Sequence, residues 1–108
     1  MTQTQPNPDD ILAQFVAEAL QFGADELDIQ YKARHEEVCA MKGSMGFWIA
    51  TLDSSGAEAN VLREQLCTIG KKGKTLNVMG ADYGLKVATY DSFGETAFRV
   101  TIGMRANQ

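Results

Sequence analysis

The chain has 108 residues, 44% apolar and 22% charged, with only two prolines, which is the material of one domain rather than of two independent cores. Ten basic against fourteen acidic residues give a net charge of −4, which argues against a nucleic-acid groove, because releasing counterions needs a basic face. No apolar stretch is long enough for a membrane span or a signal-peptide core, and Cys39 and Cys67, far apart in sequence, suit a reducing, cytoplasmic setting better than a disulfide scaffold.

Residues 1–7 are polar and without period, so a flexible start is expected, followed by a single domain over 8–108. Asn7 is placed to cap a helix, Pro8 suits its first position, and Asp9 and Asp10 suit its first turn. Apolar residues then recur as Ile11/Leu12, Phe15/Val16 and Ala19/Leu20, which predicts a helix over Pro8–Phe22 stopped by Gly23. From Glu26 the period changes to two: Leu27, Ile29 and Tyr31 alternate with Asp28, Gln30 and Lys32, the pattern of a half-buried strand. A turn near Arg34–Glu37, a second strand over Val38–Lys42 and a reversal at Gly43–Gly46 follow. Phe47–Leu52 is apolar on both faces, which predicts a central strand covered on both sides.

Ser55-Gly56-Ala57-Glu58 has the spacing of a capping box, and Ala59, Leu62, Leu66 and Ile69 mark a second helix ended by Gly70. Three more strands are expected at Thr75–Met79, Tyr83–Tyr90 and Thr96–Gly103, the last two joined by a turn at Asp91–Gly94. The expected fold is therefore α+β, in the order αβββαβββ: a six-stranded, mainly antiparallel sheet with two helices packed on one face. The two halves echo each other at an offset of 49, Leu27-Asp28-Ile29 against Leu76-Asn77-Val78, consistent with an internal repeat.

Chemistry-bearing residues are sparse. Gly73-Lys74-Thr75 matches the end of a phosphate-binding P-loop, but Thr68 stands where that loop needs glycine, and the triplet leaves a helix instead of opening one. Lys71, Lys72 and Lys74 nevertheless form the one dense basic patch of an acidic chain, a candidate site for an acidic partner or phosphate; cations after a helix C-terminus are also favoured by its dipole. His35 is the lone histidine, which leaves no metal set and no evident nucleophile–base pair. The clustered carboxylates are read as solvated caps and turns, and the cysteines, Trp48, Phe47, Phe93 and Phe98 as core. No cofactor and no metal are expected.

The stretch Ala19-Leu20-Gln21-Phe22-Gly23-Ala24-Asp25-Glu26-Leu27-Asp28-Ile29 resembles the opening of the N-terminal PAS-like domain of type II/type IV secretion and pilus-retraction ATPases, where a helix ends in a Gly-Ala-Ser-Asp segment and a strand follows. The run from Leu85 to Tyr90 and from Gly94 to Arg99 is similar to that domain's final hairpin, with a basic residue on each strand. The resemblance implies that Lys86 and Arg99 are binding residues, since basic side chains there approach the nucleotide of a neighbouring ATPase domain. Val38–Lys42 lacks the arginines of that family's second strand, Asp28 replaces its strand-one histidine, and the ATPase domain lies outside this sequence. What it implies here is a regulatory or docking module, not a motor.

The expected role is a non-catalytic protein-interaction or regulatory module, associated through the resemblance with a secretion or pilus assembly. Its expected partner is a protein, with self-association into a homodimer by edge pairing, and neither nucleic acid nor membrane. The alternatives are a small acidic dimeric secretion chaperone and a PAS-like sensor whose cavity Met41, Met45, Met79 and the aromatics would line.

Overall fold

The computed structural model describes residues 11–78 and 80–104, with the backbone alone for Lys71 and Met104. The expected capping residues Asn7 to Asp10, the end of the fourth strand at Met79 and the flexible residues 1–7 lie outside the described residues. The elements run α1 (Ile11–Gln21), β1 (Glu26–Lys32), β2 (His35–Lys42), β3 (Met45–Asp53), α2 (Ala57–Ile69), a 3₁₀ turn (Gly70–Lys72), β4 (Lys74–Val78), β5 (Ala81–Ser92) and β6 (Glu95–Met104). The strands form one antiparallel sheet in the order β3-β2-β1-β6-β5-β4. The α+β architecture expected from the pattern is the one observed.

Two meanders meet at its centre, where β1 pairs with β6 and sets Leu27 opposite Val100 and Ile29 opposite Phe98. Residues of the same parity continue across the neighbours, Ala40 and Val38 on β2 and Val87 on β5. They form one apolar layer against Leu12, Phe15, Val16 and Ala19 of α1 and Ala59, Leu62 and Leu66 of α2. Burying such side chains is worth roughly 1.5–3 kcal/mol each relative to leaving them in water, so this layer fixes both helices to one face. Among the described residues the other face carries no helix. The Gln65 side chain also accepts from the Leu12 N–H at 3.2 Å, so α2 satisfies one of the orphan donors of the α1 N-terminus.

Several expectations are corrected. β3 is an edge strand, not a central one: a bulge between Val38 and Cys39 on β2 leaves Ile49 as an extra residue between Trp48 and Ala50. That insertion switches the alternation, and so imitates a strand buried on both faces. Trp48 points away from the core and is 64% exposed. The reversal before β2 is tighter than expected, Ala33–Arg34 alone, so His35, Glu36 and Glu37 lie in the strand. The capping box does not form. Gly56 is the N-cap without a side-chain bond, and Ser55 donates through both N–H and Oγ to Asp53 Oδ1, at 3.1 and 3.0 Å. Those bonds, the backbone one first, hold the Asp53 carboxyl below the usual carboxylate range. Phe93 is fully exposed at a hairpin tip, Cys67 is exposed and Cys39 half-buried, so none of the three is core.

The sheet also places the two echoing units differently. β1 is central whereas β4, its counterpart at the offset of 49, is an edge, and β6 is central whereas β3 is an edge.

Candidate functional site

Three places concentrate chemistry: a charged network on the helix-free face, the free edge of β3, and a lysine-lined recess by β4 and β5. The network is set by strand register. Asp28 on β1 lies directly between Cys39 on β2 and Arg99 on β6. Its carboxylate is buried, and Arg99 Nε approaches Oδ1 at 3.6 Å, too far for a good hydrogen bond. Among the described residues Oδ1 has no hydrogen-bond partner. The Arg99 guanidinium also lies 4.8 Å from the Tyr90 ring centroid, and Gln30 Nε2 donates to Tyr90 Oη at 2.9 Å. Burial pushes the Tyr90 hydroxyl up and the Asp28 carboxylate adds to it, while the Gln30 hydrogen bond and the Arg99 charge pull the other way.

Beside this network a recess of about 370 Å³ is lined by Asp28, Glu37, Cys39, Met41 and Trp48, among others. Burial first, then the negative charges of Glu37 and Asp28, push the Cys39 thiol up, against an opposing pull from Lys32. A thiol held protonated is a poor nucleophile near neutral pH. His35 shares the face with Cys39 but lies four positions away along the strand, about 13 Å at the usual rise. Its Nδ1 lies 3.0 Å from the Ala33 carbonyl, at the exposed start of β2. The charged pairs read as solvated turns divide. Glu37 meets Lys32 at 3.6 Å at the surface, whereas Asp28 and Glu36 are buried strand residues.

The five basic residues singled out in the sequence also divide. Lys72, Lys74 and Lys86 line one recess of about 500 Å³ together with Gly73, Gly84 and Gly103. Lys71 belongs to the adjoining 3₁₀ turn. Arg99 stands apart, engaged with Asp28 and Tyr90. Lys71, Lys72 and Lys74 lie together in the chain, whereas Lys86 and Arg99 are paired only through the family resemblance. Across the β4–β5 hairpin Leu85 stands opposite Lys74, so Lys74 shares the helix side with Leu85, while Lys86, opposite Thr101, lies on the other face.

Between the helices and β4–β5 a third hollow, of about 300 Å³, is lined by Leu12, Val61, Gln65, Leu76 and Leu85 among others. The methionines proposed for a sensor cavity are not there: Met41 faces the helix-free side, Met45 is exposed at the sheet edge, and Met79 lies outside the described residues. No helix among the described residues is long and apolar enough to cross a membrane. No family model matches the chain, and no curated protein matches it.

Proposed function

We propose that this chain is a non-catalytic protein-interaction module that associates with a second copy of itself along the free edge of β3. The observation that carries this reading is the composition of that edge. β3 is nine residues long, contains no Lys, Arg or Pro, and exposes Met45 by 59% and Trp48 by 64%. Edge strands present unpaired N–H and C=O groups, and proteins that stay monomeric blunt them with charge, proline or brevity. β4, the opposite edge, is five residues long and opens with Lys74.

Charge favours a second copy as the occupant. The chain carries −4 overall, yet Met45–Asp53 contains a single charge, Asp53 at its end, so pairing along this strand brings no like charges into direct contact. Phe22 extends the apolar strip on the helix side, stacked on Phe47 with centroids 5.1 Å apart and nearly parallel rings. An antiparallel two-fold contact centred on Phe47 keeps like faces together and sets Trp48 against Gly46, which leaves room for the indole. The bulge at Ile49 limits the pairing to the first half of the strand. The secretion or pilus assembly suggested by the resemblance is one setting for such a dimer.

Trp48 is the only tryptophan and reports on the contact directly. Size-exclusion chromatography with light scattering should give twice the monomer mass, and Trp48 fluorescence should shift to the blue as concentration rises. Trp48→Lys and Met45→Lys should each return the monomer mass while thermal unfolding stays cooperative. A monomer at every concentration, or a dimer that survives both substitutions, overturns the proposal.

A further inference from the structure

We infer that the hollow between the two helices and β4–β5 receives Phe93 from a second copy of this chain, joining molecules head to tail. Phe93 stands at the tip of the β5–β6 hairpin, 99% exposed and with φ of 53°. A bulky side chain at positive φ costs stability, and a ring left in water gains no burial to offset that cost. The tip therefore carries an apolar knob that the packing of a single chain does not explain. Asp91 and Glu95 flank it two residues away on either side, both exposed.

The hollow matches this knob in size, polarity and charge. Its volume is about 300 Å³, and Leu12, Val61, Leu76 and Leu85 supply apolar wall. An apolar cavity of about 150 Å³ already admits a benzene ring, so a phenyl group enters with room for the backbone that carries it. Lys74 stands exposed on the rim, with no carboxylate in ion-pair reach among the described residues. The turn before it adds Lys71 and Lys72, whereas Glu64, also on the rim, is the opposing charge. The acidic flanks of the tip thus meet a rim with more positive than negative charge.

Phe93 follows the last residue of β5, eight positions beyond Leu85, about 26 Å at the usual rise. A molecule therefore cannot fill its own hollow. With the knob at one end and the hollow at the other, the contact is heterologous and passes from copy to copy, into a ring or an open chain. One ring and two carboxylates bury far less than the roughly 1,200 Å² of a stable interface, so the contact is weak, with a Kd on the order of 1 mM. It shares no residue with the β3 edge and stands whether or not that edge self-associates.

The test is a mixing experiment read by amide chemical shifts, with Trp48→Lys in every molecule so that the β3 edge takes no part. An isotope-labelled chain that also carries Phe93→Asn offers a hollow without a knob. It is titrated with the unlabelled chain, which keeps Phe93, up to about 1 mM. Shifts should centre on Leu12, Leu76 and Leu85, and the affinity should fall as sodium chloride is added. Phe93→Asn in the unlabelled chain as well should weaken binding by about tenfold or more, the order expected for losing one buried ring. Lys74→Glu in the labelled chain, at an exposed position, should weaken it by a factor of about three or more while unfolding stays cooperative. The inference is overturned by any of three results: no shifts at millimolar partner, shifts centred away from the hollow, or shifts undiminished when the unlabelled chain lacks Phe93.

Discussion

Arg63 on α2 reaches across the helix–sheet interface and donates from Nη1 to Glu36 Oε2 on β2 at 2.8 Å. The Ser54 hydroxyl donates to the same oxygen at 3.1 Å, and Arg63 Nη2 bonds the Ser54 carbonyl at 3.0 Å and Asn60 Oδ1 at 2.6 Å. One guanidinium thus ties together β2, the loop after β3 and the first turns of α2. Glu36 is only 4% exposed, so the carboxylate depends on this partner. Arg63→Ala should destabilise the fold by about 3 kcal/mol, because it strands a buried charge. At this chain length that lowers the melting temperature by about 13 °C. Glu36→Leu combined with Arg63→Met should recover most of the loss, since the pair then leaves together with its desolvation cost. Thermal and urea unfolding of the single and double variants decide it; simple additivity would count against coupling.

Two hairpins hold non-glycine residues in the left-handed region. Ala33 and Arg34 have φ of 49° and 71° between β1 and β2, and Phe93 has φ of 53° ahead of Gly94 at 85°. These are the signs that a two-residue type I′ turn requires, and Asn-Gly meets them with least strain. Phe93 is 99% exposed, so it loses little packing on replacement. Phe93→Asn should raise stability by about 0.5–1 kcal/mol, and Ala33→Asn with Arg34→Gly by a comparable amount. The readout is the urea midpoint at unchanged slope.

The turns show where the sequence speaks and where it is mute. Period-two and period-four patterning is local, and it located α1, α2 and the strands because each presents one apolar face to the same layer. Which strand lies next to which is a tertiary fact. Nothing near Asp28 reveals that β6 will bring Arg99 beside it, or that β1 will occupy the centre of the sheet. The alternation Leu27-Asp28-Ile29 does put the carboxylate on the face opposite the core, but burial there comes from neighbouring strands. The Ile49 bulge defeats the same rule, since an extra residue shifts parity and an edge strand reads as a central one. The lysines form a patch in the chain, yet the β4–β5 register divides them, with Lys74 on the face of Leu85 and Lys86 on the opposite face.

Alkaline pH should weaken the fold through Cys39 and Tyr90. Both groups are pushed up, burial being the larger cause in each. A neutral acid whose folded pKa is raised keeps its proton while the unfolded chain loses it. Stability from these groups is therefore intact below the unfolded pKa and declines as pH rises through the interval between the two values. For the thiol that decline begins above about pH 8.5 and for the phenol above about pH 10. Cys39→Ser should flatten the earlier part of the stability–pH curve and Tyr90→Phe the later part. At fixed pH, iodoacetamide should modify the exposed Cys67 before Cys39.

Gly73 separates steric from conformational demands within one loop. Its φ is 84°, and a Cβ there would lie 2.8 Å from the Leu85 carbonyl oxygen, inside contact distance. The same loop holds Gly70, with φ of 52° and open space where a Cβ would go. With ψ of −151° at Gly70 and 171° at Gly73, both lie outside the left-handed helical well in conformations essentially confined to glycine, so Gly70→Ala should cost about 1–3 kcal/mol from the backbone alone. Gly73→Ala adds displacement of the β5 backbone and should cost about 1 kcal/mol or more beyond Gly70→Ala. Equal losses of stability in the two variants would show that the close approach of Gly73 to β5 does not constrain the loop.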